Sequence, residues 1–396
     1  MPTEAVPSGE REGLPIGPGP FPGIRRPLRS LVWLIQVIVG LVFLVGLLAV
    51  LAAIPGLSLL TLGYLLTAEA RVGRTGQLRT GFPLLAVSAR IGMILLAVTI
   101  FLIPVQILAV QSAARGIIVD GSPLSPGRLL TITRTLQTIL FFHLLLAIAN
   151  GGSFSCFFRP IRNLKRLVRG LRNGDYAASV NVWTNRLLDI FQPWETIKTA
   201  VRGAVGAFLW LVIPTALLAT STTPQQNPGP ALLATLIGGI LLIPVAAWLP
   251  LLQAHQAVTG RFSAIFDVRA ARQVINRVPL RWLIATTLLY ALALPLYFTK
   301  IRLPANDAMW LVTPLFVLLT YPTRILMGWV YGTGKRKSGN AWFGIRWTAK
   351  LVMIPLLAIY AAMLFATPLI SEVGRAAIFE NHAFLLPVPV GKLLGG

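Results

Sequence analysis

The chain has 396 residues, of which 55% are hydrophobic and only 12% are charged. A soluble domain carries about 25% charged residues, so this composition could not cover a water-facing surface. The mean hydropathy of +0.74 therefore indicates an integral membrane protein. The single cysteine, Cys156, excludes an intrachain disulfide framework and a multi-cysteine zinc site. Common metal and nucleotide signatures are absent from the sequence, so we expect no metal and no cofactor.

The N-terminal segment 1–30 is rich in proline and glycine and lacks apolar periodicity, which predicts a disordered tail. An apolar run follows from Leu31 to Leu66 and is too long for a cleaved signal peptide. Pro55-Gly56 interrupts it, and this pair is typical of a turn. The sequence therefore predicts a membrane hairpin over 31–70. It is either two packed helices or one span followed by a re-entrant half-helix.

Seven further stretches are long and apolar enough to cross a bilayer of about 30 Å as helices. They predict an all-α polytopic integral membrane helical bundle, with a transmembrane domain over 31–370 and a tail on the outer side over 371–396. The predicted spans are 91–112, 135–157, 203–220, 231–254, 283–299, 308–323 and 347–370.

The basic residues separate by loop when the N-terminus is placed inside and the hairpin returns to the same side. Of the 35 Lys and Arg residues, 27 then lie on the inner side and seven on the outer side. This asymmetry is typical of a multi-pass protein of the cell (cytoplasmic) membrane, with a cytoplasmic N-terminus and an external C-terminus. It also explains the net charge of +23 without nucleic acid as a partner. The inner segments are 1–30, 69–90, 158–202, 258–282 and 335–350.

Arg324 falls outside both groups because it follows the apolar span 308–323 directly. It could lie deep in the membrane, where a charge is costly and is often functional. We favour the alternative, in which the span ends near Thr323 and Arg324 reaches the inner headgroups. Residues 325–331 would then lie along the interface.

One inner segment predicts an amphipathic helix that begins at Arg159 and ends at Arg172. Apolar residues recur at spacings of three and four, while basic side chains take the other positions and no acid is present. The apolar residues are Ile161, Leu164, Leu167, Val168 and Leu171. Such a helix would engage anionic membrane lipid or a partner, or would serve as a generic anchor to the inner leaflet. Its basic residues are Arg159, Arg162, Lys165, Arg166, Arg169 and Arg172.

Polar residues within the predicted spans are sparse. His143 and Asn150 lie seven residues apart and so share one helix face, which makes them a possible intramembrane polar site. The alternative for His143 is a single interhelical hydrogen bond. No acid lies in the middle of a predicted span and no acid–base pair is visible, which disfavours ion-coupled transport and hydrolytic catalysis.

Two short blocks of the chain resemble a family of bacterial polytopic membrane proteins of unknown function. The first is Gly63-Tyr64-Leu65-Leu66 followed by a basic segment and Gly81-Phe82-Pro83, and the second covers 182–191. The resemblance implies a multi-pass helical membrane protein and supplies no catalytic residues. We therefore expect a non-enzymatic inner-membrane protein whose basic helices bind anionic lipid or a protein partner of unknown identity.

Proline-containing spans leave a second function open. Pro104, Pro214 and Pro244 each remove a helical hydrogen bond within a predicted span. Transporters and channels use such breaks to expose backbone carbonyls to a substrate. The alternative function is therefore a transporter or channel for a small molecule or lipid, with His143 and Asn150 near its path.

Overall fold

The computed structural model describes residues 21–23, 25–54, 56–117, 126–150, 154–174, 192–222, 228–301, 311–370, 378 and 382. Within these ranges the regular structure is helical and no strand occurs. The chain divides into two compact units. The first unit comprises residues 1–44 and 84–191, and the second comprises residues 45–83 and 192–396.

Twelve α-helices follow one another along the described ranges, together with short 3₁₀ turns at Leu78–Gly81, Ala219–Thr222 and Phe262–Phe266. The helices are α1 (Pro27–Ala53), α2 (Ser58–Thr75), α3 (Leu85–Ile117), α4 (Pro126–Ala149), α5 (Phe154–Phe157), α6 (Pro160–Asn173), α7 (Pro193–Leu218), α8 (Pro228–Thr259), α9 (Val268–Arg277), α10 (Pro279–Ile301), α11 (Val312–Arg336) and α12 (Phe343–Ile370).

Seven of the described helices are long and apolar enough to cross a membrane, which confirms the all-α polytopic fold. Six of them overlap spans predicted from the sequence, and the seventh is α1. The predicted span 308–323 becomes part of α11, which does not belong to this group. The membrane-capable stretches are Pro27–Ala53, Val87–Gln111, Thr131–Ala149, Pro193–Leu218, Gly229–Thr259, Pro279–Phe298 and Phe343–Thr367.

The predicted hairpin over 31–70 forms two helices, α1 and α2. Gly56 lies between them with φ of +83°, a left-handed conformation that glycine adopts without steric cost. The tail boundary also differs slightly from the sequence interpretation, because α1 already begins at Pro27. Residues 1–20 of the predicted tail lie outside the described residues.

Helix α2 forms the centre of the second unit, where it packs against α7, α8 and α11. Leu62, Leu65 and Leu66 on α2 are almost completely buried. A larger apolar cluster continues from α7 and α8 across α10, α11 and α12. The short helix α2 is therefore enclosed by protein over most of its length.

The first unit is built on the contact between α3 and α4. Ile94 and Ala97 on α3 pack against Leu144 and Ala147 on α4, with Phe157 completing the cluster. The sequence predicted one continuous span over 135–157, and that boundary is wrong. Helix α4 ends at Ala149, and the separate short helix α5 follows at Phe154–Phe157.

Two described residues of the predicted outer tail 371–396 are buried in the second unit. Ile378 and His382 are 0% and 1% exposed. The imidazole of His382 is hydrogen-bonded through Nε2 to Thr215 Oγ1 at 2.8 Å and through Nδ1 to Tyr360 Oη at 3.2 Å. His382 therefore links α7 to α12. The rest of this tail lies outside the described residues.

Candidate functional site

The predicted basic helix is present as α6, and its sequence explains both of its ends. Pro160 occupies the first helical turn, where its missing N–H costs nothing. Gly174 follows the last turn with φ of +74°, and its N–H donates back into the helix. The fourteen residues between these ends extend over about 21 Å.

Both long faces of α6 are exposed. Ile161, Leu164, Val168 and Leu171 are 71%, 53%, 55% and 64% exposed, respectively. Among the described residues, no acid forms an ion pair with the basic side chains of this helix. The helix therefore presents a cationic face beside an exposed apolar face. All six predicted basic residues, Arg159, Arg162, Lys165, Arg166, Arg169 and Arg172, are exposed.

A single buried side chain ties α6 to the rest of the first unit. Asn163 is 1% exposed, and its Nδ2 donates to the carbonyl of Cys156 at 2.8 Å. Asn163 lies on the inward side of α6, which also contacts α4. The helix is thus held by one edge while its basic and apolar faces stay free.

The predicted polar pair on α4 consists of two residues that bond separately to backbone. His143 Nε2 lies 2.8 Å from the carbonyl oxygen of Phe157, and the imidazole packs edge-on against Phe101. Asn150 Nδ2 donates to the carbonyl of Leu146 on its own helix at 2.9 Å. No hydrogen bond within the described ranges joins His143 to Asn150. A polar site at these residues remains a prediction.

A different polar centre lies inside the second unit, and it contains Arg324. Arg324 is 3% exposed and Glu69 is 0% exposed, and Nη1 of Arg324 lies 3.4 Å from Oε2 of Glu69. Helix α11 continues unbroken to Arg336. Because Arg324 is buried and paired, the expectation that its side chain reaches the inner headgroups is wrong. The physical reason is charge compensation. The carboxylate on α2 allows the guanidinium to remain inside the protein instead of reaching headgroups.

Gln253 completes this polar centre from α8. Its Oε1 accepts a 2.7 Å hydrogen bond from Arg324 Nη1, and its Nε2 donates to the carbonyl of Gly203 on α7 at 3.3 Å. Four helices therefore meet through one chain of polar contacts. Oε1 of Glu69 is buried and has no hydrogen-bond partner among the described atoms.

Small residues let α2 and α11 approach closely enough for this contact. A Cβ atom at Gly328 would collide with the backbone carbonyl of Glu69, and one at Gly332 would collide with that of Gly73. The two α11 glycines are four residues apart, the spacing typical of close helix contacts in membranes. The ion pair and the glycine contact therefore occupy the same helix interface.

The sequence does not predict this centre, because its members lie in separate segments. Glu69 falls in the predicted inner segment 69–90, and Arg324 directly follows the predicted span 308–323. The available signal was one acid and one base, each at the end of an apolar run. Opposite charges within a membrane domain are expected to pair, but sequence alone does not show which helices are neighbours.

A second polar cluster joins the end of α8 to α9 and α11. His255 Nδ1 lies 2.7 Å from the hydroxyl of Tyr331, and Nε2 lies 3.5 Å from Oδ2 of Asp267. Asp267 also accepts the N–H of Ala270 at 3.0 Å and so caps α9. That N–H is the main reason the pKa of Asp267 lies below its ordinary value. The cluster fixes the start of α9 against the end of α8.

Comparison with known proteins adds no further assignment. No family model, curated protein or solved structure matches this chain. Within the described ranges, no group of three or more His, Cys, Asp and Glu residues could hold a metal ion. The second block of the family resemblance, 182–191, lies outside the described residues.

Proposed function

We propose that this multi-pass membrane protein uses α6 to bind anionic lipid headgroups at the membrane face that its charge distribution predicts to be cytoplasmic. The observation that carries the proposal is the exposure of both faces of α6. Exposure of apolar side chains to water costs free energy, so the apolar face of α6 favours contact with another apolar surface. The adjoining cationic face favours a surface that is also anionic. An anionic leaflet offers both properties in one plane.

The energetics favour lipid over a protein partner. Each cation near an anionic leaflet contributes about 1 kcal/mol, and burial of the apolar side chains at the acyl boundary adds to this. Asn163 holds α6 by the edge that faces its own unit, so lipid contact does not require the helix to detach. A protein partner would need an acidic rim and an apolar groove of matching length.

The test places a probe on the apolar face of α6 in the full-length protein. Leu164→Cys in a Cys156→Ser background is labelled with an environment-sensitive fluorophore and reconstituted in nanodiscs. We expect a blue-shifted emission and quenching by lipid-borne quenchers in discs that contain phosphatidylglycerol. Discs of phosphatidylcholine alone should give a weaker effect. High salt should reduce the difference, because screening shortens electrostatic attraction to about 3 Å at 1 M.

A four-fold neutralised variant supplies the decisive comparison. Replacement of Arg162, Lys165, Arg166 and Arg169 by Gln should remove up to about 4 kcal/mol of attraction and abolish the dependence on phosphatidylglycerol. The matched control replaces four exposed arginines outside α6 and should keep the dependence on phosphatidylglycerol. These are Arg25, Arg26, Arg29 and Arg79. A probe that stays in water in every lipid composition would contradict the proposal and would favour a protein partner.

A further inference from the structure

A cavity of about 250 Å³ lies in the second unit. Helices α8, α9, α10 and α12 line it. Its polar side chains are Arg272, Asn276 and Lys350, and its aromatic ones are Trp248 and Trp282. None of the described residues that line it is acidic. The cavity therefore combines two cations with a mainly apolar wall.

The polar end of the cavity is held in place by neighbouring contacts. The guanidinium of Arg272 lies 5.9 Å from the ring centre of Trp248. The indole N–H of Trp282 donates to the carbonyl of Ala247 at 3.4 Å. Asn276 is fixed through its own carbonyl, which accepts the N–H of Ala341 at 2.9 Å. Trp248 thus contacts one of the two cations, while hydrogen bonds hold Trp282 and the Asn276 backbone.

Asn276 contributes an unused acceptor. Its Oδ1 is buried and has no hydrogen-bond partner among the described atoms. A buried polar atom without a partner costs about 1–3 kcal/mol, so a ligand that donates a hydrogen bond there gains by satisfying it. Hydroxyl and ammonium groups of lipid headgroups are donors of this kind. The cations would hold a phosphate while Asn276 accepts from the group attached to it.

An apolar groove of about 350 Å³ lies along α8 and α12. Ile243 lines both the groove and the cavity, so the two spaces are neighbours. Away from the cations, the groove is bordered by Leu236, Ala362 and Phe365 among other apolar side chains. From Lys350 to Phe365, α12 rises about 22 Å, whereas one leaflet accounts for about 15 Å of hydrocarbon. The groove is long enough for an acyl chain.

We propose that the α8–α12 groove binds one anionic phospholipid, with its phosphate between Arg272 and Lys350 and an acyl chain along the apolar extension. Charge complementarity selects the occupant, because two cations without an acid favour an anion, and the adjoining apolar groove favours a chain. Both cations belong to segments that the charge distribution predicts to be cytoplasmic, the side on which anionic headgroups of that leaflet lie. This site is separate from α6, which belongs to the other unit.

The test titrates delipidated full-length protein in detergent with phosphatidylglycerol and counts bound lipid by native mass spectrometry. Arg272→Gln with Lys350→Gln should weaken the tightest binding event at least tenfold. The matched control, Arg269→Gln with Lys337→Gln, removes two exposed cations from the same two inner segments and should leave it unchanged. The four-fold α6 variant should also keep this event, which separates the groove from the proposed role of α6.

A second pair of variants tests the acyl chain. Ala362→Phe fills the groove from an exposed position and should weaken binding while both cations remain. Ala291→Phe adds the same bulk at an exposed position on α10 outside the groove and should leave binding unchanged. Equal binding of phosphatidylcholine, full competition by glycerol phosphate, or no effect of Ala362→Phe would each overturn the proposal. The last two outcomes would indicate a small phosphate ligand.

Discussion

Arg324 on α11 and Glu69 on α2 form a buried ion pair between residues 255 positions apart in the chain. Their side chains are 4% and 0% exposed, so neither charge has water to solvate it. Gln253 shares the guanidinium and links the pair to α7 through the carbonyl of Gly203. This relationship makes the packing of α2 dependent on charge compensation as well as on apolar contact.

Removal of one charge from this pair should destabilise the protein far more than removal of both. Arg324→Met leaves Glu69 buried and unpaired, which should cost about 3–5 kcal/mol. Adding Glu69→Gln in the same chain should recover much of that loss, because the uncompensated charge disappears. The stabilities of the single and double variants are compared by heating the detergent-purified proteins and measuring the fraction that stays monodisperse. Equal destabilisation by the single and double variants would contradict the prediction.

The glycine contact between α2 and α11 gives an independent prediction about the same interface. Gly328→Leu places a side chain where the Glu69 carbonyl lies, so the helices must separate and the ion pair must lengthen. We expect a loss of about 1–3 kcal/mol or more, the range for overpacking in a tight core. The same thermal assay measures it. Gly46→Leu is the control, because no atom lies within 4 Å of a Cβ atom there.

The sequence predicts the individual helices better than it predicts the contacts between them. The apolar stretches predicted most of the spanning helices, because composition over about 20 residues fixes a membrane helix locally. Alternating basic and apolar residues likewise predicted α6, with Pro160 and Gly174 at its ends. The pairing of Glu69 with Arg324 was not predicted. It depends on which helices become neighbours, and no local periodicity contains that information.

The same distinction applies to the groove. Arg272 and Lys350 are ordinary basic residues of two inner segments when only the sequence is read. They become a candidate anion site because α9 and α12 come together beside Trp248 and Trp282. The charge sorting that predicted orientation therefore also concealed this site, since it explained every inner cation in the same way.

The cap of α9 should make stability depend on pH. The pKa of Asp267 lies below its ordinary value, mainly because its carboxylate accepts the Ala270 N–H. A lowered folded pKa means that the carboxylate stabilises the fold above the ordinary value of 3.8. That contribution is lost as the pH falls through the lowered value. Asp267→Ala should therefore cost about 1 kcal/mol at neutral pH and progressively less in acid.

Two substitutions at Asp267 separate capping from charge. Asp267→Asn keeps a side-chain oxygen for the Ala270 N–H and should retain most of the stability at neutral pH. It should also lose the acid dependence, because an amide does not titrate. Unfolding measured from neutral pH to about pH 3 distinguishes the two variants. If the difference in unfolding free energy between the wild type and Asp267→Ala does not change with pH, Asp267 does not stabilise α9 as a charged cap.

The orientation in the membrane remains a prediction from charge, and it has a direct test. The hairpin formed by α1 and α2 must return the chain to its starting side for the basic segments to lie together on the inner face. Reporter fusions after Pro224 should therefore report the outer side, and fusions after Lys335 the cytoplasmic side. A fusion after Arg172 should match Lys335, because α6 belongs to the same predicted face. The inverse pattern would mean either that the N-terminus is external or that α1 and α2 cross the membrane only once in total. It would also place the cations of α6 and of the groove on the outer face, where the anionic cytoplasmic leaflet does not reach them.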